Sequence, residues 1–81
     1  MERQKIRDVM SQILVRQGKP PVANELDDLR GIGFRSLDFS ELALRIERQA
    51  GRELNFDAAL MRSIATVADV LNFFEHALKN A

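Results

Sequence analysis

Among the side chains that can do chemistry, Ser36 has the most informative position. It stands between a glycine-rich segment, Gly31-Ile32-Gly33, and an apolar segment that begins Leu37-Asp38-Phe39. A short hydroxyl residue before such a segment is typical of a helix N-cap, and Asp38 would lie in the first turn, where the helix dipole favours a negative charge. An exposed hydroxyl at a helix start can be modified by another enzyme, and the backbone N–H groups there suit an attached phosphate. Without modification, Ser36 would be a plain N-cap, as most serines at helix starts are.

The rest of the chain offers few groups for chemistry of its own. There is no Cys, and His76 is the single histidine, so the sequence excludes disulfides, thiolate metal sites and imidazole clusters. Ser36 has no histidine base suggested by the pattern, and the sequence therefore predicts no enzyme. Any thiol chemistry must come from an attached group.

Size and charge restrict the class of protein further. With 81 residues, positions 1–81 form one domain with one small core. Twelve basic and twelve acidic residues balance, so net charge gives no attraction to nucleic acid or to an anionic membrane. No apolar run is long enough to span a bilayer, and the N-terminus begins with charged residues. We expect a soluble, cytoplasmic monomer without stable membrane insertion.

The first helix is predicted over residues 2–17, where apolar residues recur with helical period. Gly18 and the pair Pro20-Pro21 end it and open a long connection that runs to about Phe34. Four apolar residues in this connection are expected to pack onto the core: Leu26, Leu29, Ile32 and Phe34.

A second helix is predicted from Ser36 to about Ala50, ending at Gly51. One side of it is apolar and should face the core: Phe39, Leu42, Ala43, Ile46 and Ala50. The opposite side is an outward stripe with two leucines that internal packing does not require: Leu37, Glu41, Leu44 and Arg48.

Two more helices complete the prediction. Asp57 can cap a short helix that extends to Ile64, and Thr66 with Asp69 resembles the capping box of a final helix through Leu78. No segment alternates as a strand would. The sequence therefore predicts an all-α four-helix bundle with a long first loop and a short third helix.

The segment from Gly31 to Leu42, with Gly-Phe-Arg-Ser-Leu-Asp at its centre, resembles the phosphopantetheine attachment site of acyl carrier proteins. The resemblance extends over nearly the whole chain through the order and lengths of the helices. It implies that Ser36 carries 4′-phosphopantetheine taken from coenzyme A, and that acyl groups travel on this arm as thioesters in fatty acid, lipid or polyketide biosynthesis. The implied partners are a phosphopantetheinyl transferase and acyl-processing enzymes such as ketosynthases, acyltransferases or acyl-ACP ligases.

The resemblance also implies roles for individual residues of the second helix. Leu37, Asp38, Glu41 and Leu44 match positions that face partner enzymes. The chain departs from the family where Arg35 replaces the usual Asp before the serine, and where Arg45, Arg48 and Arg52 interrupt a helix that is often acidic. Because charge complementarity sets specificity, these departures predict a specialised carrier. The expected partner-binding set is Arg35, Leu37, Asp38, Glu41, Leu44 and Arg48, and the expected acyl-chain pocket is Phe39, Leu42, Ala43, Ile46, Ala50 and Leu54.

Two alternatives belong to a different class. Leu29-Arg30-Gly31-Ile32-Gly33 also looks like the hairpin of a helix-hairpin-helix DNA-binding module, whose glycines expose backbone N–H groups to phosphate. Asp38 and Glu41 would oppose DNA there, and the bulky Leu37 stands where a small residue is expected. The other alternative is an unmodified helical interaction domain.

Overall fold

The fold is that of a computed structural model, which describes residues 1–54, 56 and 58–80. Its helices are α1 (Arg3–Arg16), α2 (Leu29–Ile32), α3 (Ser36–Ala50), α4 (Ala58–Arg62) and α5 (Val67–Asn80). Within the described residues there is no strand, only one isolated bridge between Asp28 and Thr66. The prediction of an all-helical chain is confirmed, and α1 and α3 lie where the sequence predicts them. The predicted cap Asp57 lies outside the described residues.

The core lies between the three long helices. α1 packs against both α3 and α5, and α3 contacts α5 through Phe39, whose ring centroid lies 5.5 Å from that of Phe73 and 5.2 Å from that of Phe74. Burying each large apolar side chain contributes about 1.5–3 kcal/mol. The largest fully buried side chains are Ile6, Met10, Ile13, Leu14, Leu42, Ile46, Val67, Val70, Leu71 and Phe74.

The two sides of α3 separate as the sequence predicts. Leu42, Ala43 and Ile46 are buried, and Phe39 and Ala50 are partly buried against the core. Leu37 and Leu44 are exposed on the opposite side. The apolar stripe of α3 therefore fixes which way the start of the helix, with Ser36, faces.

The first connection differs from its prediction in two respects. It contains the helical turn α2, which has only four residues and is too short for helical periodicity to reveal. Phe34 is buried, and Leu29 and Ile32 are partly buried against the core, as expected. Leu26 is 80% exposed, so its predicted packing is wrong. Its N–H donates to Asn24 Oδ1 at 2.8 Å in a surface turn that leaves the side chain outside.

Hydrogen bonds tie this connection to the start of α5. The N–H of Leu29 donates to the carbonyl of Ala65, and that of Val67 donates to the carbonyl of Asp27, both at 3.0 Å. Farther along, the Arg3 guanidinium lies 2.6 Å from Glu25 and also pairs with Glu75. The hydrogen bond from Arg3 holds the pKa of Glu25 below its ordinary value.

The predicted capping box at the start of α5 is confirmed. The N–H of Thr66 donates to Asp69 Oδ2 at 3.0 Å, and the N–H of Asp69 donates to Thr66 Oγ1 at 3.2 Å. Backbone N–H groups of Ala65 and Thr66 lower the pKa of Asp69 because they favour the charged carboxylate.

Replacing Asp69 with Ala should lower the free energy of unfolding by about 1 kcal/mol at pH 7. The folded-state pKa lies below the ordinary value, so the stabilisation is complete above the unfolded-state pKa and is lost as the pH falls through the folded one. In urea unfolding, the difference in the free energy of unfolding between wild type and Asp69→Ala should therefore become smaller below about pH 4. A difference that stays equal at pH 7 and in acid would contradict a role for the ionised carboxylate.

Candidate functional site

Ser36 is exposed at the start of the longest helix. It is the first residue of α3, and Arg35 is the N-cap, so the prediction that Ser36 itself caps the helix is wrong by one residue. A residue of the first turn stabilises the helix start: Asp38 Oδ2 accepts a hydrogen bond from the N–H of Arg35 at 2.8 Å. Within the described part of the chain, the Ser36 hydroxyl has no hydrogen bond. It is therefore free to react without disturbing the cap.

Asp38 does not face outward, in contrast to the predicted partner contact. Its side chain is only 7% exposed. One carboxylate oxygen accepts from Arg35 N–H, and the other accepts from Gln17 Nε2 at 2.6 Å. Asp38 thus stabilises the helix start through both carboxylate oxygens, and its burial leaves little surface for a direct contact with a partner.

A short series of hydrogen bonds connects the end of α1 to the segment before Ser36. Lys19 Nζ donates to Gln17 Oε1 at 2.8 Å and to the carbonyl of Gly33 at 2.5 Å. Gln17 then bonds Asp38, as described above. These bonds hold both Gly33 and the first turn of α3 against the end of α1.

Gly33 has a backbone that other residues rarely adopt. Its φ is 75°, in the left-handed region, and a Cβ added there would lie 2.9 Å from Lys19 Nζ. Gly31 has no positive φ, and a Cβ added there would meet nothing closer than the Asp28 Cβ at 4.0 Å. Within the segment Gly31-Ile32-Gly33, the backbone therefore requires glycine only at position 33.

We expect Gly33→Ala to lower the free energy of unfolding by about 1–2 kcal/mol, because it forces a left-handed residue against Lys19. Gly31→Ala is the matched control and should leave stability within about 0.5 kcal/mol of wild type or raise it, since alanine favours the helical turn. Urea unfolding of both variants measures the difference. Equal effects of the two substitutions would contradict a special role for Gly33.

A cleft of about 560 Å³ opens beside Ser36. Arg30, Arg35 and Ser36 contribute polar groups, and most of the remaining lining is apolar. The apolar side chains of the lining are Leu29, Phe34, Phe39, Met61 and Ile64. Ser36 therefore lies at a cleft whose walls suit an extended, partly apolar ligand.

The predicted acyl-chain pocket coincides with this cleft only at Phe39. Leu42, Ala43, Ile46 and Leu54 are buried in the core, and Ala50 is partly buried against it. Their use as an acyl pocket stays a prediction. Sequence reasoning missed Met61 and Ile64 as neighbours of Ser36, although their spacing of three residues on the short helical segment was a signal for a shared face.

The outward stripe of α3 carries both apolar and basic groups. Leu37 is 83% exposed and Leu44 is 56% exposed, and both Arg35 and Arg48 are exposed. Glu41 is paired on this side, 2.5 Å from Arg45 and 3.4 Å from Arg16. The predicted outward position holds for every member of the stripe, although the Glu41 charge is compensated within the chain.

Three consecutive backbone N–H groups in and just after the glycine segment already have acceptors within the chain. The N–H groups of Ile32, Gly33 and Phe34 donate to the carbonyls of Asp28, Arg30 and Leu29 at 3.2, 3.2 and 2.9 Å. A helix-hairpin-helix module needs such N–H groups to be open to DNA. The local hydrogen bonding therefore disfavours that alternative.

Comparison of the chain with known protein families, with curated proteins and with solved structures finds no match. The described ranges contain no group of three or more acidic or histidine side chains placed to hold a metal ion. Among the described helices, none combines the length and the apolar character needed to cross a membrane.

Proposed function

We propose that this chain is a carrier protein of the acyl carrier type, with 4′-phosphopantetheine attached to Ser36. The observation that carries the proposal is an exposed serine hydroxyl, without a hydrogen bond to the described residues, at the start of α3 and at the rim of a largely apolar cleft. The resemblance of Gly-Phe-Arg-Ser-Leu-Asp to the attachment site of this family supports the same assignment.

The residues around Ser36 fit such an arm. Its phosphodiester is an anion, and the N-terminus of α3 and the Arg35 side chain both favour negative charge there. Arg30, on the cleft lining, adds a second cation, and Leu29, Phe39, Met61 and Ile64 offer an apolar wall to the linear chain. When bound, the arm supplies the thiol that this chain lacks, and acyl groups are carried on it as thioesters.

The role of the protein in this proposal is presentation. In the transfer, the Ser36 oxygen forms a bond to phosphorus, the hydroxyl proton leaves to a base of the transferase, and adenosine 3′,5′-bisphosphate departs from coenzyme A. Asp38, Gln17 and Lys19 hold the helix start still while the hydroxyl remains accessible.

The test of the proposal is the intact mass of the protein after co-expression with a broad-specificity phosphopantetheinyl transferase. We expect an increase by the mass of one phosphopantetheine and no second addition. An unchanged mass with every transferase tried would contradict the proposal.

Arg35, which precedes Ser36, and Arg48, on the outward stripe of α3, should make the carrier selective. Replacing Arg35 with Asp and Arg48 with Glu turns two positive charges, which would repel enzymes with a basic docking patch, into negative ones. We expect kcat/KM for modification and acylation by a general fatty-acid system to rise, about tenfold at low salt and less at moderate salt, where screening is stronger. An unchanged or lower kcat/KM at both salts would show that these arginines do not select among such enzymes.

A further inference from the structure

The carboxylates of α3 are all engaged within the chain. Asp38 is buried and doubly hydrogen bonded, and Glu41 lies between Arg16 and Arg45. Glu47 Oε2 accepts the N–H of Leu54 at 2.8 Å. All three carboxylates of this helix therefore already have partners within the chain, and Glu41 is paired with two arginines.

Three arginines, one in α2 and two at the start and on the outward stripe of α3, have no such partner within the described part of the chain. Arg30, Arg35 and Arg48 are exposed, and none forms an ion pair with a described residue. Arg30 and Arg35 thus present unpaired positive charge at the cleft beside Ser36, and Arg48 presents it farther along α3. Charges that face water without a partner are available for complementary contacts at an interface.

Exposed leucines lie within this basic surface. Leu37 follows Ser36 directly, and Leu44 lies two turns farther on nearly the same line of α3. Protein interfaces typically combine an apolar centre with a polar or charged rim. We call Arg35, Leu37, Leu44 and Arg48 the outer face of α3.

We propose that the outer face of α3 docks a protein whose surface presents an apolar patch flanked by carboxylates. This inference rests on the proposed function in that the partner is the one that must reach Ser36. The leucines would fill the apolar patch, and the guanidinium groups of Arg35 and Arg48 would pair with the flanking carboxylates. The charge of the expected partner is therefore opposite to that of enzymes that dock onto an acidic helix.

A nucleic acid fits this surface less well. The face carries only two arginines, Arg35 and Arg48, whereas affinity for a nucleic acid depends on neutralising many phosphates. Two exposed leucines also gain little against a charged backbone, whereas an apolar protein patch would bury them.

The test uses two helical peptides with the same leucine spacing, one with glutamates and one with lysines beside the leucines, titrated into the uniformly ¹⁵N-labelled full chain. We expect amide shifts at Leu37, Leu44 and Arg48 with the acidic peptide, and an affinity about tenfold higher than for the basic peptide at low salt. Arg35→Asp with Arg48→Glu should reverse that preference. Lys79→Glu, a single charge reversal on α5, should leave the preference unchanged.

Each other result would overturn the inference. Equal binding of both peptides, shifts elsewhere on the chain, or tighter binding of a short DNA duplex at this face would exclude an acidic protein partner. Because the titration needs no modification of Ser36, it fails or succeeds independently of the mass measurement. If Ser36 is never modified but the chain prefers the acidic peptide as expected, the carrier proposal is contradicted and the docking inference is not.

Discussion

Ser36→Ala is expected to abolish phosphopantetheine attachment while changing the free energy of unfolding by no more than about 0.5 kcal/mol. Loss of modification follows because alanine has no oxygen to form the bond to phosphorus. The small effect on stability follows because the Ser36 side chain is exposed and the start of α3 is closed by Asp38 and Arg35. Intact mass after incubation with transferase and coenzyme A, together with urea unfolding, measures both quantities.

Ser40→Ala is the matched control for this experiment. Ser40 lies one turn farther along α3, lines the same cleft, is exposed, and donates from its hydroxyl to the carbonyl of Ser36 at 3.3 Å. Ser40→Ala should gain the same mass as wild type, because the proposed attachment uses the Ser36 hydroxyl and does not need the hydroxyl at position 40. If Ser36→Ala still gains the mass while Ser40→Ala does not, the attachment site has been misassigned. If Ser36→Ala unfolds, the serine has a structural role that its exposure does not suggest.

Helix positions were predictable because each long helix carries a repeated apolar stripe, and because a glycine follows α1 and α3. The stripe of α3 and its end at Gly51 appear directly in the sequence, and so does the Thr66–Asp69 capping box. Such signals depend on residues a few positions apart, which a single sequence displays. The outward position of Leu37 and Leu44 follows from the same periodicity.

What escaped the sequence depends on contacts between distant segments. The family resemblance placed Asp38 among the partner contacts, and nothing in the sequence of α3 reveals Gln17, which reaches it from the end of α1. The cleft beside Ser36 likewise combines Leu29 from the first connection with Met61 and Ile64 near α4. The spacing of Met61 and Ile64 indicates a shared face, but no local pattern shows which segment that face approaches, since the approach arises only when α1, α3 and the connections pack together.

Asp38→Ala is expected to lower the free energy of unfolding by about 2 kcal/mol. The substitution removes the acceptor of the Arg35 N–H and leaves the Gln17 amide without its partner in the first turn of α3. It also removes a negative charge from the positive end of the helix dipole. Asp38→Asn keeps an oxygen for the Arg35 N–H and should recover part of the loss. Asp8→Ala, which removes an exposed acid from α1, should cost no more than about 0.5 kcal/mol.

Asp38→Ala should also slow phosphopantetheine attachment even when the chain is fully folded. The Ser36 hydroxyl is positioned through the turn that Asp38 closes, and misplacement of a reacting group by a fraction of an ångström can lower kcat/KM about tenfold. Measured where wild type and variant are both folded, Asp38→Ala should show this loss together with faster amide exchange at Ser36 and Leu37, but not in α5. Asp38→Asn should restore much of the rate. Faster amide exchange throughout α5 as well would indicate that Asp38 stabilises the whole fold and has no specific role in positioning Ser36. A wild-type rate of attachment in folded Asp38→Ala would show that the hydroxyl needs no such positioning.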